Sequence, residues 1–434
     1  MTEPGTAAPP LHAAAAGDEW WRSAVIYQVY PRSFADADGD GVGDLAGIAS
    51  RLPYLRDLGV DAVWISPFYP SPQADAGYDV ADYCDVDPLF GSLEDADRLI
   101  ARAHYLGLRV IVDLVSNHTS DEHPWFRSAL AAGPGSPERE RYLFRDVDPA
   151  HPDVPPNDWP SEFGGSAWSK TADGQWYLHL FDAKQPDLNW EHPEVREAFI
   201  GVLRFWLDRG VDGFRVDVAH GLVKAPGLPD FGHQWEELAN GDLPTHAAPY
   251  FDQDGVHEIY RDWRRVLDSY PGERAMVAEA WVRPLERIAR YVRPDEHHQA
   301  FNFTFLSTGW DAEDLRAGIA ESFVVNDAMG APTTWVLSNH DVIRHVTRLA
   351  LHPDEAVTQL GAPVTPPDPA VGVRRARAAT TLMLALPGSA YLYQGEELGL
   401  PEVLDLAPKA RQDPTFRRTN GERRGRDGCR VPLP

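Results

Sequence analysis

The sequence predicts an α/β protein: eight parallel strands alternating with helices, closed into a (β/α)8 TIM barrel, with a subdomain inserted after the third strand. Three observations predict it. Short runs rich in Val, Ile and aromatics recur along the chain, near-continuously apolar, as parallel strands covered on both faces are. Amphipathic stretches of helical spacing lie between them. Finally, acidic side chains close four of the runs, LRVIVDLVSNH (Asp113), GVDGFRVDVAH (Asp217), AMVAEAW (Glu279) and TTWVLSNHD (Asp341). An acid at the end of an apolar strand is costly unless paired or used, and strand C-termini are where such barrels build their active sites.

In chain order the strand-like runs are AVIYQVY (24–30), VDAVWIS (60–66), LRVIVDLV (108–115), VDGFRVDV (211–218), AMVAEAW (275–281), QAFNFTF (299–305), TTWVLSN (333–339) and SAYLYQG (389–395). Ser92 with Asp95 three residues on forms a capping-box pattern, and Gly107 stops that helix before the third run. A second helix is expected from Pro193, with Val195, Ala198, Phe199, Val202, Leu203 and Trp206 on one face, ending at Gly210. These divisions predict a tail over 1–19, the barrel over 20–116 and 190–400, a subdomain over 117–189 and an incomplete barrel segment over 401–434. The subdomain is inferred because 117–189 is rich in Pro, Gly, Asp and Trp and too long for an ordinary loop. Residues 352–373 read as a Pro-rich excursion.

The formal net charge of −26 argues against nucleic acid or anionic membrane as partners and suits neutral substrates. Two cysteines, Cys84 and Cys429, imply no disulfide framework; with no signal-peptide pattern, a reducing cytoplasm is the expected location. No Cys/His cluster has zinc spacing, and no organic cofactor is expected. The pair His297 and His298 is expected at the surface.

Asp217 and Glu279 end consecutive strands, the fourth and fifth, which can bring their carboxyls to about 5 Å, the spacing of retaining glycosidases. Arg215, two residues before Asp217, shares its strand face and can keep it ionised. The apolar run around Glu279 suits a proton donor. Asp341, with His340, can grip sugar hydroxyls as the ring distorts. Any one of these acids could be half of a structural ion pair; together at strand ends they point to chemistry. Trp159, Phe163, Trp168, Trp176 and Phe181 are expected to form mainly the subdomain's own core. Phe144 and Phe163 are weak candidates for the acceptor side. DADGDGVGD (36–44) resembles the front of a Ca²⁺-binding EF-hand loop, with Asp36, Asp38, Asp40, the Val42 carbonyl and Asp44, but its twelfth position is Gly47 where that loop needs Glu.

The segments DLVSNH, GFRVDV, VAEAW and LSNHD resemble, in order, the four signature regions of the α-amylase family of retaining glycoside hydrolases. QPDLNW (185–190) resembles a fifth region in the form of the oligo-1,6-glucosidase and α-glucosidase branch, and QGEELG (394–399) and GRDGCRVPL (425–433) extend the match. The resemblance implies Asp217 as nucleophile, Glu279 as general acid/base and Asp341 as transition-state stabiliser. It implies His118, Arg215 and His340 around the non-reducing glucose, closed by Asp75, Tyr78 and Arg426 as in exo-acting members. Asp113 and Asn117 would only brace the site. It also implies a structural Ca²⁺ or Mg²⁺ in the Asp36–Asp44 loop, and a C-terminal β-sandwich that is missing from these residues. Val218 after the nucleophile leans toward α-1,6 links. The expected activity is exo-acting, retaining hydrolysis of short α-glucosides and oligosaccharides, with some transglucosylation. Its rivals are a trehalose or isomaltulose synthase, a sucrose hydrolase, and an inactive barrel used as a scaffold.

Overall fold

The computed structural model describes residues 19–232, 248–351 and 366–434. The expected tail over 1–19 falls outside these apart from its last residue, as does most of the Pro-rich excursion. All eight strands form where the apolar runs place them: β1 (Val25–Val29), β2 (Ala62–Ile65), β3 (Arg109–Val115), β4 (Gly213–Asp217), β5 (Ala275–Ala278), β6 (Gln299–Ala300), β7 (Thr334–Val336) and β8 (Ser389–Tyr393). Neighbours run β7-β8-β1-β2-β3-β4-β5-β6, all parallel. A single parallel bridge between Phe301 and Thr334 nearly closes the barrel between β6 and β7.

Among the described residues, the helices of the connections include α1 (Leu45–Leu58), α2 (Leu93–Tyr105), α3 (Pro193–Asp208), α4 (Val256–Asp268), α5 (Leu285–Tyr291), α6 (Ala312–Met329) and α7 (Pro369–Ala385). The α2 start is the expected capping box: Ser92 accepts from the Asp95 N–H, and the Asp95 carboxylate accepts from the Ser92 N–H at 3.0 Å. Helix α3 begins at Pro193 and buries Val195, Phe199, Val202, Leu203 and Trp206. Residues 369–373, expected to be part of the excursion, are instead the first turns of α7; a proline at the first helical position needs no hydrogen-bond partner and starts a helix well.

Strand side chains split between two cores. Ile26, Trp64, Ile111, Val277, Phe301, Val336 and Tyr391 fill the barrel interior, while the opposite strand faces pack with the helices. Gly213 lets β4 and β5 meet: a Cβ there would lie 2.3 Å from the Ala275 carbonyl oxygen. Over 117–189 the chain forms a three-stranded antiparallel sheet, Phe144–Arg145, Trp176–Leu178 and Trp168–Lys170. Trp159, Trp168 and Trp176 are buried in its core, which also takes Leu228, Ala248 and Tyr250 from the connection after β4. That contribution had no sequence signal, because it comes from beyond the inserted segment. Residues 401–434 carry only short turns, Pro408–Ala410, Pro414–Arg418 and Asp427–Cys429.

His297 and His298 are not at the surface. Both are buried: His298 Nδ1 accepts the Met276 N–H at 3.1 Å, and the His297 ring lies 4.2 Å from that of Tyr260. Burial holds His297 down at about 3, so it is neutral at ordinary pH. Among the described residues no helix is long and apolar enough to cross a membrane.

Candidate active site

The β3–β4 register sets Asp113 opposite Arg215, and the β4–β5 register sets Val216 opposite Ala278, so the next residues, Asp217 and Glu279, stand side by side. The result is one guanidinium serving three carboxylates. Arg215 Nη1 lies 2.9 Å from Asp113 Oδ1 and 2.6 Å from Asp217 Oδ1, and its Nη2 is 2.7 Å from Glu279 Oε2. All four side chains are buried. The Arg215 guanidinium also stacks over Trp64, 5.0 Å from the ring centre.

Two expectations about these acids change. Asp113 is not a strand-end residue: it sits within β3, its carboxylate taken by Arg215, Trp64 Nε1 (3.1 Å) and Tyr78 Oη (3.1 Å). Nor are the contacts of Glu279 apolar. Besides Arg215, the Val218 N–H donates to Glu279 Oε2 at 3.0 Å and Trp281 Nε1 to Oε1 at 3.1 Å. Apolar neighbours in sequence point to the other strand face, whereas the carboxylate enters the polar barrel mouth. Val218 adopts a left-handed backbone (φ 45°), unusual for a β-branched residue, and this conformation accompanies the hydrogen bond to Glu279.

Three acids around one cation cannot all ionise cheaply. Burial pushes Asp217 well above the usual carboxylate range; Arg215 opposes this, and the charges of Glu279 and Asp113 add to it. Burial likewise raises Asp113 to about 6, against the pull of Arg215. Burial and like charge therefore favour the protonated forms of Asp113 and Asp217.

Asp341 lies beyond β7, on the loop after it, and faces a different environment. Burial opposes its ionisation, but His340, Arg426 and Arg430 outweigh it and hold the carboxyl below its ordinary value. Arg426 Nη1 donates to Asp341 Oδ1 at 2.9 Å and Arg430 Nη2 at 3.0 Å. His340 is neutral, because burial lowers it well below its usual value. Its Nδ1 accepts from Gln28 Nε2 at 2.7 Å, so Nε2 carries the proton and donates to Asp341 at 3.1 Å. The Tyr78 ring stacks on His340 at 5.0 Å and 8°.

The same arginine ties in the loop after β2: Arg426 Nη2 lies 2.7 Å from Asp75 Oδ1. Burial raises Asp75 to about 6 despite Arg426. Gln185 Nε2 is 3.2 Å from Asp75 Oδ2 and 3.0 Å from His118 Nε2, which also meets the Tyr78 carbonyl at 3.1 Å. Burial holds His118 down at about 4, in its neutral form. A bridge between His118 and Asp187 binds the return of the inserted segment to the site. The nine predicted catalytic and binding residues thus gather around one barrel mouth and are joined by these contacts: Asp217, Glu279, Asp75, Tyr78, His118, Arg215 and His340 are buried, and Asp341 and Arg426 are partly exposed. Phe163 belongs to the same region, its ring 4.8 Å below the Arg426 guanidinium; Phe144 packs instead with Phe126 and Tyr177.

Several members were missed. Gln28 and Gln185 were legible as lone amides in buried contexts, and Arg430 as the second arginine of GRDGCR. Lys224 Nζ is buried and binds Asp187 and Asn117, both at 2.8 Å, a role that depends on a loop fold no local pattern gives. Asp413 reads in sequence only as a cap of the turn Pro414–Arg418.

Apart from this site, Asp36, Asp38 and Asp40 converge, one carboxylate oxygen of each lying within 4.8 Å of the others. Backbone N–H groups of Gly41 and Gly39 hold Asp36 below its ordinary value. Val42 donates its N–H to Asp40 at 2.7 Å. Asp44 is engaged differently: it caps α1 through the Gly47 N–H (2.6 Å) and accepts from the Ala37 N–H (2.9 Å).

Comparisons with known proteins agree with this architecture. The family "Alpha amylase, catalytic domain" matches residues 28–434. A probable alpha-glucosidase of Rhizobium meliloti (strain 1021) is 41% identical over 430 residues, covering 96% of this chain and 74% of that protein. An oligo-1,6-glucosidase of Heyndrickxia coagulans is 35% identical, covering 96% and 76%. The crystal structure of the alpha-glucosyl transfer enzyme XgtA superposes with a TM-score of 0.83 at 40% identity, over 96% of this chain and 75% of that one. The trehalulose synthase MutB from Pseudomonas mesoacidophila MX-45 superposes with a TM-score of 0.80 at 33% identity, over 96% and 75%. With the barrel, the strand-end acids and a catalytic-domain match from the first strand onward, the chain belongs to the α-amylase family, as a glycoside hydrolase of the α-glucosidase and oligo-1,6-glucosidase branch.

Proposed function

We propose that this protein removes terminal α-linked glucose from short α-glucosides, with retention of configuration, through a covalent glucosyl-Asp217 intermediate. The observation that carries the proposal is the pairing of Asp217 and Glu279 on the two Nη atoms of one buried arginine. Asp217 attacks the anomeric carbon while Glu279 protonates the departing oxygen; Glu279 then takes a proton from water, which releases glucose. Asp341, kept ionised by two arginines, faces the positive charge that develops on the sugar ring. The Asp75–Arg426–Asp341 bridge closes the end of the site opposite the acceptor, which favours removal of one terminal unit.

Turnover of sucrose, maltose, isomaltose and p-nitrophenyl α-glucoside, with proton NMR of the first anomer released, tests this. α-Glucose as the first product is the expected result; β-glucose, or no turnover of any of the four, sinks the proposal. Transfer is the second outcome of the same assay, favoured by the likeness to an alpha-glucosyl transfer enzyme; it gives new disaccharides at high substrate.

The pH dependence follows from Asp75. Its folded value of about 6 lies above its ordinary one, so its charge is complete only above pH 6 and is lost as pH falls through that value. KM is therefore expected to rise on acidification from pH 7 to 5, and in Asp75→Asn to be high and flat over that range. A wild-type KM unchanged between these pH values removes Asp75 from substrate binding.

The oxygen-only group Asp36, Asp38 and Asp40 fits a hard cation, Ca²⁺ or Mg²⁺, with the Val42 carbonyl as a further proposed ligand and Asp44 anchoring the loop to α1. The ion would stiffen the turn and take no part in catalysis. Calorimetric titration of the chelator-treated protein with CaCl₂ is expected to show one site that disappears in Asp36→Asn/Asp38→Asn. Heat absent from the wild type identifies a plain acidic turn.

A further inference from the structure

We propose that Asp413 is a positioning residue for terminal-glucose recognition: it sets the angle at which Arg426 presents its guanidinium between Asp75 and Asp341. The inference rests on the α-glucosidase reading of this pocket and adds a residue to it. Arg426 is held by all of its donor nitrogens. Its two Nη atoms fork to Asp341 (2.9 Å) and Asp75 (2.7 Å), while Nε donates to Asp413 Oδ2 at 2.6 Å and the Arg426 backbone N–H to the same oxygen at 3.1 Å. A guanidinium anchored at Nε cannot swing about its Cδ–Nε bond, so the Asp413 carboxylate fixes where both Nη atoms point. The Phe163 ring closes one face of the same group.

Asp413 is itself locked. Its Oδ1 accepts the Thr415 N–H at 2.8 Å, and it is buried to 2% exposure. Burial opposes its charge, but Arg426 and Arg430 prevail and hold its carboxyl down at about 2, so it is an anion at every working pH. The neighbouring segment reciprocates, since Asp427 accepts the Gln412 N–H (3.1 Å) and the Asp413 N–H (3.2 Å). Gly425 completes the fit: it has φ 68°, and a Cβ on it would lie 2.6 Å from Asp413 Cγ. Segments 412–415 and 425–427 are thereby clasped around one arginine.

The two forked acids depend on Arg426 unequally. Asp341 has a second cation in Arg430 at 3.0 Å, whereas Asp75 is met on its other oxygen by the neutral Gln185 amide at 3.2 Å. Loosening Arg426 therefore disturbs the Asp75 side first, which is ground-state sugar binding more than bond cleavage.

The test compares wild type, Asp413→Asn, Arg426→Lys and the double variant. It measures thermal midpoint, calorimetric Kd for 1-deoxynojirimycin, and KM and kcat on p-nitrophenyl α-glucoside. Asp413→Asn is expected to raise Kd and KM about tenfold, with kcat changed less than about threefold, because one charge-assisted contact to a binding group is lost. In the Arg426→Lys background the same substitution is expected to add less than about twofold, the mark of two residues acting as one unit. A lowered thermal midpoint with unchanged Kd and KM overturns the proposal in favour of a purely structural role. So does an undiminished effect in the Arg426→Lys background. A wild type that binds the iminosugar but cleaves no α-glucoside refutes the proposed activity alone, and the Kd ratios still decide the role of Asp413.

Discussion

Asp217→Asn is expected to reduce turnover of every α-glucoside by at least about 10⁴-fold while leaving the fold intact, because an amide cannot form the glucosyl ester. The substitution preserves size and can still accept from Arg215 through its carbonyl oxygen, so no cavity forms and no cation loses its last partner. It also removes one of three like charges from a buried cluster in which Asp217 is raised well above its ordinary value. The thermal midpoint should therefore hold or rise. Active-site titration and calorimetry on the same sample check both halves. Activity within tenfold of wild type would falsify the nucleophile assignment, and a collapse of the midpoint would instead mark Asp217 as mainly structural.

Arg215→Met is expected to be the most destabilising substitution in the barrel, by about 3–5 kcal/mol at pH 7, since it strands buried carboxylates without their cation. Methionine fills much of the space but leaves Asp113, Asp217 and Glu279 together, and Asp113 keeps only Trp64 and Tyr78 as donors. The sign of the pH effect follows from linkage. Asp113 and Asp217 already have folded values above their ordinary ones, so the folded state binds more protons than the unfolded state in the window above about pH 4. Such acids penalise folding fully above their folded pKa, and the penalty disappears as pH falls toward the unfolded value. Without Arg215 the upward displacement grows. The deficit of the variant against wild type should therefore shrink between pH 7 and 5. A deficit that is constant or grows on acidification rules out electrostatic origin and leaves lost packing over Trp64 as the cause. Turnover is expected to vanish in parallel, since the cation that contacts both Asp217 and Glu279 is gone.

Much of this was legible before any coordinates. Apolar runs at strand length separated by helical spacing placed all eight strands, because burial on both faces demands Val, Ile and aromatics at every position. The strand-face rule put Arg215 and Asp217 together, since side chains two apart on a strand point the same way. What failed did so where neighbours in space differ from neighbours in sequence. His297 and His298 look polar in a string, yet the β5–β6 edge buries both. Glu279 sits among apolar residues along the chain but among donors in space. Lys224, Gln185 and Asp413 belong to loops whose paths depend on what they pack against.

The sequence by itself determined the barrel, the order of its strands and the identity of the acids at its mouth. Those follow from periodicity and residue chemistry, which are local. Only the tertiary structure decided how charge is shared among them. One arginine from β4 divides itself among acids of three strands, and another, Arg426, pairs with Asp75, 351 positions away in the chain. Such pairings are set by barrel closure and loop docking, which bring together groups that no local pattern connects, and the low polarity of the interior then turns their separations into different protonation states.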